Sequence, residues 1–463
     1  MRTGPIPAAA EIGLPLVGHA DLRSVAAWRR GEPVSAGRLL ADVRCAARAM
    51  PEGGHVLNLC ADRYAFAVAL LAALTRRVTT LLPPATTPAV IDAMRDFAPG
   101  TAFVSDSDSS QPDLPDLPRI PLAFSGAGDA ECETVPLVEG SRVAAIVFTS
   151  GSTGAPQPHA KRWAGLVRNA GAEARRLGIA GPGSTILGTV PAQHMFGLES
   201  TVLLPLVTGA ALTAERLFYP AEIDDAIRRA PPPRILFTTP FHLRNWLETG
   251  TTARLETIVS ATAPLSETLA REVEERTGAT LLEIYGCTET GQLATRRPTA
   301  GAQWRAYDGV RLREENGRTW ASGGHIEEPT ALSDLIEIDS GDDGLFHLRG
   351  RAADMVNIAG KRNSLAYLNH QLAAIPGVVD GVFHVPEETR PDGVTRLVAF
   401  VVAPGLTPEG IIAALRERID PAFLPRPLVM LEALPRRGTG KIPIEELRRL
   451  AARAAPSRAR EGT

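Results

Sequence analysis

Lysine is nearly missing from this chain: among 49 basic residues in 463, only Lys161, Lys361 and Lys441 are lysines. Arginine carries almost all the positive charge, so each surviving lysine marks a place where a compact ammonium suits better than a planar fork. There is no excess of either sign. A net charge of −3 excludes the broad basic field that nonspecific nucleic-acid or anionic-membrane binding requires. The four cysteines, Cys45, Cys60, Cys132 and Cys287, lack CxxC spacing and are too sparse for a disulfide scaffold. That argues against a zinc site and for a reducing compartment. No basic segment followed by an apolar core opens the chain, and the most apolar run, Tyr64 to Leu74, is far short of a membrane span. A cytoplasmic protein with no nucleic-acid and no membrane partner is expected.

What is present is a large apolar fraction, 44% of the chain, enough for one large core and a second smaller one. From about Gly140, short β-branched runs alternate with amphipathic stretches, the pattern of a parallel sheet with crossover helices. The strand candidates are Val143 to Phe148, Ser184 to Val190, Arg234 to Thr238, Leu255 to Val259 and Thr280 to Ile284. Gly278 is placed to stop the helix that carries Arg271 to Arg276. The Ser/Asp/Pro-rich stretch Ser105 to Pro118 reads as an exposed loop, and the last ten residues as a frayed tail. A domain boundary falls near Gly350. Beyond it, Gly381 to Val385, Arg396 to Val402 and Leu428 to Leu431 are strand-like, and Thr407 with Pro408 starts a helix. The expected fold is α/β: a large multi-sheet N-terminal domain over residues 1–350 and a smaller, mobile α+β C-terminal domain over 351–463.

Chemistry is concentrated in a few short stretches. Thr149-Ser-Gly-Ser-Thr-Gly154 is a small, hydroxyl-rich loop after a strand, where backbone amides can approach a polyphosphate. It lacks the Lys-Ser or Lys-Thr of GxxxxGK[ST], so a P-loop ATPase is a poor fit. Taken alone it is an ordinary turn. Glu283-Ile-Tyr-Gly-Cys-Thr-Glu289 puts an aromatic ring, a hydroxyl and a carboxylate at a strand's C-terminal end, the edge where open α/β sheets bind ligands. A carboxylate there could hold Mg²⁺, although Glu289 could equally cap a helix. An acid within Asp334 to Asp339 could chelate two ribose hydroxyls. Gly438-Thr-Gly-Lys441 presents one of the three lysines on a glycine turn.

These stretches, in this order, resemble the adenylate-forming superfamily of acyl- and aryl-CoA synthetases, adenylation domains and luciferases, over roughly residues 30–450. The resemblance implies that Thr149, Ser150, Gly151, Ser152, Thr153 and Gly154 enclose the ATP phosphates. Thr288 would touch the α-phosphate and Glu289 would ligate Mg²⁺. Ala263 and Pro264 would pass beside the adenine with Tyr285 stacking on it, and Asp334 and Arg351 would hold the ribose. Lys441 would bridge the substrate carboxylate and the α-phosphate. Gly350 to Asp354 resembles the hinge motif. Gly360 would leave room for a pantetheine thiol, supplied by CoA or by a separate acyl carrier protein.

The chain departs from the family pattern in three places. Gln157 stands where a lysine usually follows the phosphate loop, so that charge is either lost or replaced by Lys161. Ala353 replaces the common Asp or Lys of the hinge, and Asn363 to Tyr367 carries no acid. The family's acid pocket maps to His194, Phe196, Gly197, Ser200, Gly286 and Cys287. Gly197 stands where amino-acid-activating relatives place an aspartate, which argues against a free amino acid. His194, Phe196 and Gly286 would make a flat slot for an aromatic acid such as a hydroxybenzoate, with Cys287 and Ser200 meeting a ring hydroxyl. A short or medium aliphatic acid is the alternative, as is a catalytically silent nucleotide sensor.

Overall fold

The computed structural model describes residues 13–106, 114, 117–126, 128–150, 156–179, 181–251, 253–339, 341–342, 344–351, 355–358, 361–386, 396–436 and 442–454. Two large sheets dominate. The first has six strands in the order Pro156–Arg162, Val143–Ser150, Thr79–Leu82, His55–Asn58, Ala102–Val104, Arg119–Ile120. All its neighbours are parallel except Pro156–Arg162, which doubles back antiparallel on Val143–Ser150. The second has eleven strands. Its parallel middle runs through Thr280–Cys287, Thr257–Ser260, Arg234–Thr238, Thr185–Gly188, Ala211–Thr213 and Val25–Arg29.

The crossover pattern therefore holds, and Arg234–Thr238 has the expected limits. Thr280–Cys287 runs three residues past the expected Ile284, because it continues through an irregularity at Tyr285/Gly286 into a hairpin with Gly291–Arg296. From there the sheet turns antiparallel through Trp304–Ala306, Leu345–Arg351 and Asp334–Ile338. A three-stranded meander, Val310–Glu315, Arg318–Gly323 and Ile326–Ala331, branches from this half. Gly278 closes its helix in the left-handed conformation with φ 72°.

The apolar run found in the sequence is the helix Arg63–Thr75, which packs against strands of both large sheets. A helix apolar on every side has no face to give to water, and this one is buried along almost its whole length. Asp62 caps it by accepting from the Ala65 amide at 2.8 Å. Arg63, in its first turn, is fully buried and donates five bonds: Nε to Thr201 Oγ1 at 2.9 Å, Nη1 to the carbonyls of Thr213 and Glu215 at 3.0 Å each, and Nη2 to those of Gly188 at 3.0 Å and Val190 at 3.2 Å. Burial lowers its pKa to about 10. Among the described residues no helix is long and apolar enough to cross a membrane.

The smaller C-terminal domain has its own core around Leu372, Phe383, Ala399 and Leu415. Its sheet joins Asp380–His384, Val398–Val402 and Leu428–Met430, the last two parallel. Thr407 caps the helix Pro408–Arg416 through a 3.2 Å bond from Gly410, as the sequence implies. Arg436 grips Asp380 with two bonds of 2.6 and 2.7 Å, and Arg244 of the large domain lies 3.8 Å from the same carboxylate.

Candidate active site

The strand Val143–Ser150 delivers the start of the candidate phosphate loop to a sheet edge, and Pro156–Arg162 carries the chain away, pairing Gln157 with Thr149 and Lys161 with Ala145. Thr149 Oγ1 and His159 Nε2 share a 3.0 Å hydrogen bond. Gly151, Ser152, Thr153, Gly154, Ala353, Gly360 and Lys441 lie outside the described residues, as do the side chains of Ser150 and Arg351.

The second element is the turn after Thr280–Cys287. Gly286 is required there, because a Cβ would lie 2.5 Å from the Gly291 carbonyl oxygen and 2.8 Å from Gln292 Cα. Cys287 Sγ and Thr290 Oγ1 are 3.1 Å apart, and burial pushes the Cys287 thiol up to about 11. Lys161 Nζ donates to the Glu289 carbonyl at 2.8 Å, and the Thr290 carbonyl is 3.1 Å from His325 Nε2. Burial raises the Glu289 carboxyl, but hydrogen bonds from its own amide and Cys287, with the charges of His159 and Lys161, outweigh it and hold the pKa below the ordinary value. Thus Lys161 serves the Glu289 turn.

The candidate adenosine residues converge. Tyr285 donates its hydroxyl to Asp334 Oδ2 at 2.8 Å, and Asp334 faces Arg351 across the strand pair. Trp304 and Phe346 hold the Tyr285 ring by edge contacts with centroids at 5.8 and 6.0 Å. Ala263 and Pro264 follow Thr262, whose positive φ of 78° is costly for a β-branched residue and whose buried Oγ1 has no partner. Glu283 ties this turn to the Tyr285 strand, accepting from the Leu265 amide at 3.0 Å and from Arg296 at 2.6 Å. Neither Thr262 nor Glu283 stood out in the sequence as a site residue; only the strained backbone and the buried carboxyl reveal them.

The expected acid-pocket residues divide. His194 caps a short helix, accepting from the Phe196 amide at 3.3 Å. Phe196 is buried edge-on against Phe237. A Cβ on Gly197 would sit 2.0 Å from the Pro191 carbonyl oxygen, so packing, whatever the substrate, forbids a side chain there. Ser200 is fully buried and donates to Glu173 at 2.6 Å while accepting from Gln292 at 2.7 Å. Its hydroxyl proton is committed to Glu173, which leaves only an acceptor lone pair for any further partner.

Behind the turn lies an acid pair that sequence spacing did not disclose. Glu199 sits in the π-helical segment Leu198–Leu203 and accepts from Asn169; Glu173 comes from the helix Trp163–Leu177. Tyr307 donates to Gln292 at 2.8 Å and completes the cluster. Burial raises Glu173 to about 8, with the bond from Ser200 opposing and the Glu199 charge adding to it, and raises Glu199 to about 7 against the charge of Lys161 and hydrogen bonds from Asn169 and Gln292. Between the ordinary value of 4.5 and about 8 the folded chain holds protons that the unfolded chain releases, so stability falls as pH rises through that window. Glu173→Gln, which mimics the protonated acid, is expected to flatten this slope. Urea midpoints measured against pH for both proteins check it, and parallel slopes would count against the buried acid.

His159, Lys161, Asn169, Glu199, Glu289 and His325 line a cavity of about 380 Å³ between the first sheet, the Glu289 turn and the meander. The strand leading into residues 151–154, the Glu289 turn and the Tyr285–Asp334 pair form the candidate site, and known proteins give its class, an ATP-using, AMP-forming acid–thiol ligase. A family model described as AMP-binding enzyme matches residues 21–314, and the chain belongs to that family. A 4-coumarate–CoA ligase of Rhodobacter capsulatus is 31% identical over 337 residues, covering 72% of this chain and 80% of that one. A 3-hydroxybenzoate–CoA/4-hydroxybenzoate–CoA ligase of Thauera aromatica is 28% identical over 375 residues, covering 71% and 70%. In fold, the chain matches ATP-bound MatB from Rhodopseudomonas palustris with a TM-score of 0.78 at 20% identity, over 93% of this chain and 96% of that one.

Proposed function

We propose that the protein activates a small aromatic carboxylic acid of the hydroxybenzoate class and transfers it to a pantetheine thiol. The single observation that carries the activation step is the Glu289 turn, whose carboxyl is held below the ordinary pKa and whose main-chain carbonyl is tied to Lys161 of the strand that leaves the phosphate loop. In the first step the acid's carboxylate oxygen attacks the α-phosphorus of ATP, and the bond to pyrophosphate breaks. In the second the thiol sulfur attacks the acyl carbon, AMP leaves and the thiol proton is released.

Both partners of the first step are anionic, so catalysis rests on positioning and on charge placed where it develops. Tyr285, Asp334, Arg351, Ala263 and Pro264 hold the adenosine, Thr149 to Gly154 the phosphates, and Thr288 the α-phosphate. Glu289 would hold Mg²⁺, which when bound would supply neutralisation of phosphate charge. Lys441 comes from the smaller domain, whose rotation about Gly350 to Asp354 would withdraw it and bring Gly360 to the thiol path. The aromatic class is supported by relatives named for coumarate and hydroxybenzoate.

Acid-dependent ATP–pyrophosphate exchange across benzoates, cinnamates, short aliphatic acids and amino acids tests this reading. Hydroxybenzoates are expected to give the strongest exchange. A response confined to aliphatic acids would move the substrate class, and ATP binding without exchange for any acid would favour a nucleotide sensor. Product analysis with CoA or an acyl carrier protein identifies the acceptor.

A further inference from the structure

The strand Pro156–Arg162 leaves the phosphate loop and runs past the Glu289 turn. His159 and Lys161 are two residues apart on it and therefore share one face, the less exposed one. Each reaches a different part of the candidate ATP site: His159 bonds Thr149 at 3.0 Å, and Lys161 donates to the Glu289 carbonyl at 2.8 Å. One residue further, the Thr290 carbonyl meets His325 Nε2 at 3.1 Å, from the turn between the second and third meander strands. His325 Nδ1 is buried without a partner, so the ring proton belongs on Nε2, the donor tautomer. Burial keeps the ring neutral by lowering its pKa to about 4. The turn is also closed from below, since a Cβ on Gly291 would lie 2.5 Å from Glu199 Oε1.

Lys161 forms no ion pair with a carboxylate among the described residues; its recorded bond is to a main-chain carbonyl. An ammonium used in this way fixes the geometry of the turn, while its charge also acts on the Glu289 and Glu199 carboxyls. Gln157 lies opposite Thr149, and Lys161 is four residues further along, about 13 Å at strand spacing.

We propose that Pro156–Arg162 is a spacer that sets the distance between the phosphate loop and the metal-binding carboxylate, with Lys161 the positioning residue for Glu289 and His325 its counterpart at Thr290. This rests on the reading of Glu289 as the Mg²⁺ ligand. Neighbours that orient a metal ligand typically contribute about 10- to 100-fold in metal affinity.

The test is calorimetric binding of α,β-methylene-ATP to the full chain, with Mg²⁺ and with EDTA, for wild type, Lys161→Met and Lys161→Arg, with urea midpoints alongside. Lys161→Met keeps the packing volume and is expected to erase about 10- to 100-fold of the Mg²⁺-dependent enhancement, a larger loss than it causes in EDTA. Lys161→Arg keeps a donor and is expected to recover part of it. Equal enhancement in Lys161→Met and wild type overturns the spacer role, as does a loss that is the same with and without Mg²⁺ and follows the drop in urea midpoint. A wild type whose binding ignores Mg²⁺ overturns the assignment of Glu289 itself, an outcome distinct from the other two.

Discussion

Lys441→Ala is expected to lower adenylate formation by about 10² to 10³-fold, the usual cost of removing one oriented charge from a transition state. Thioester formation from a synthetic acyl-AMP should stay close to wild type. The asymmetry follows from where the charge is needed: negative charge builds on the phosphorus oxygens only in the first half-reaction. In a chain with so few lysines, Gly438-Thr-Gly-Lys441 keeps one at the end of a glycine turn. Two residues before the first glycine of that stretch the chain is already tied down, because Arg436 holds Asp380 in a two-bond fork. A fork of this kind fixes direction as well as distance. Lys441→Arg should rescue little, since a planar guanidinium fits poorly into a single bridging position. Pyrophosphate exchange and thiolysis of the preformed adenylate are measured separately. Equal loss in both would remove Lys441 from its proposed role.

Arg63→Ala is expected to destabilise the protein by about 4 kcal/mol or more, through lost bonds to buried carbonyls and a cavity between two sheets. The five acceptors of its guanidinium belong to segments far apart in sequence: Gly188 and Val190, Thr201, and Thr213 with Glu215. No other side chain has five donors in a rigid fork, so Arg63→Lys should fail almost as badly. Arg63→Met restores volume but satisfies no carbonyl and should fall between wild type and alanine. Chemical denaturation reads all three. A change below about 1 kcal/mol for Arg63→Ala would mean that water or local rearrangement satisfies those carbonyls.

The parallel half of the large sheet was legible because its strands are short β-branched runs bounded by turn residues, as in Arg234–Thr238 and Thr257–Ser260. The antiparallel meander beside it was not. Its strands Val310–Glu315, Arg318–Gly323 and Ile326–Ala331 are rich in charge and half exposed, so periodicity gives little signal. Motif residues were legible by type and order, and the Tyr285 hydroxyl does reach Asp334, whose backbone pairs in register with Arg351. Their supports were not, since Glu173 and Glu199 look in sequence like any solvated acid. Only the packing of a π-helical turn against the helix Trp163–Leu177 buries them. Lys161 stood out for its rarity, but its partner is a main-chain carbonyl that no spacing rule could have named.

The close approach of Pro191 to Gly197 bears on descent and redesign. An aspartate at position 197 would be the obvious single change for steering such an enzyme toward amino acids. Here the backbone oxygen of Pro191 already occupies the space such a side chain needs. An evolutionary route to amine recognition would have to move the 190–191 segment first, so the two changes must come in a fixed order. The glycine works as a ratchet, closing one path of specialisation.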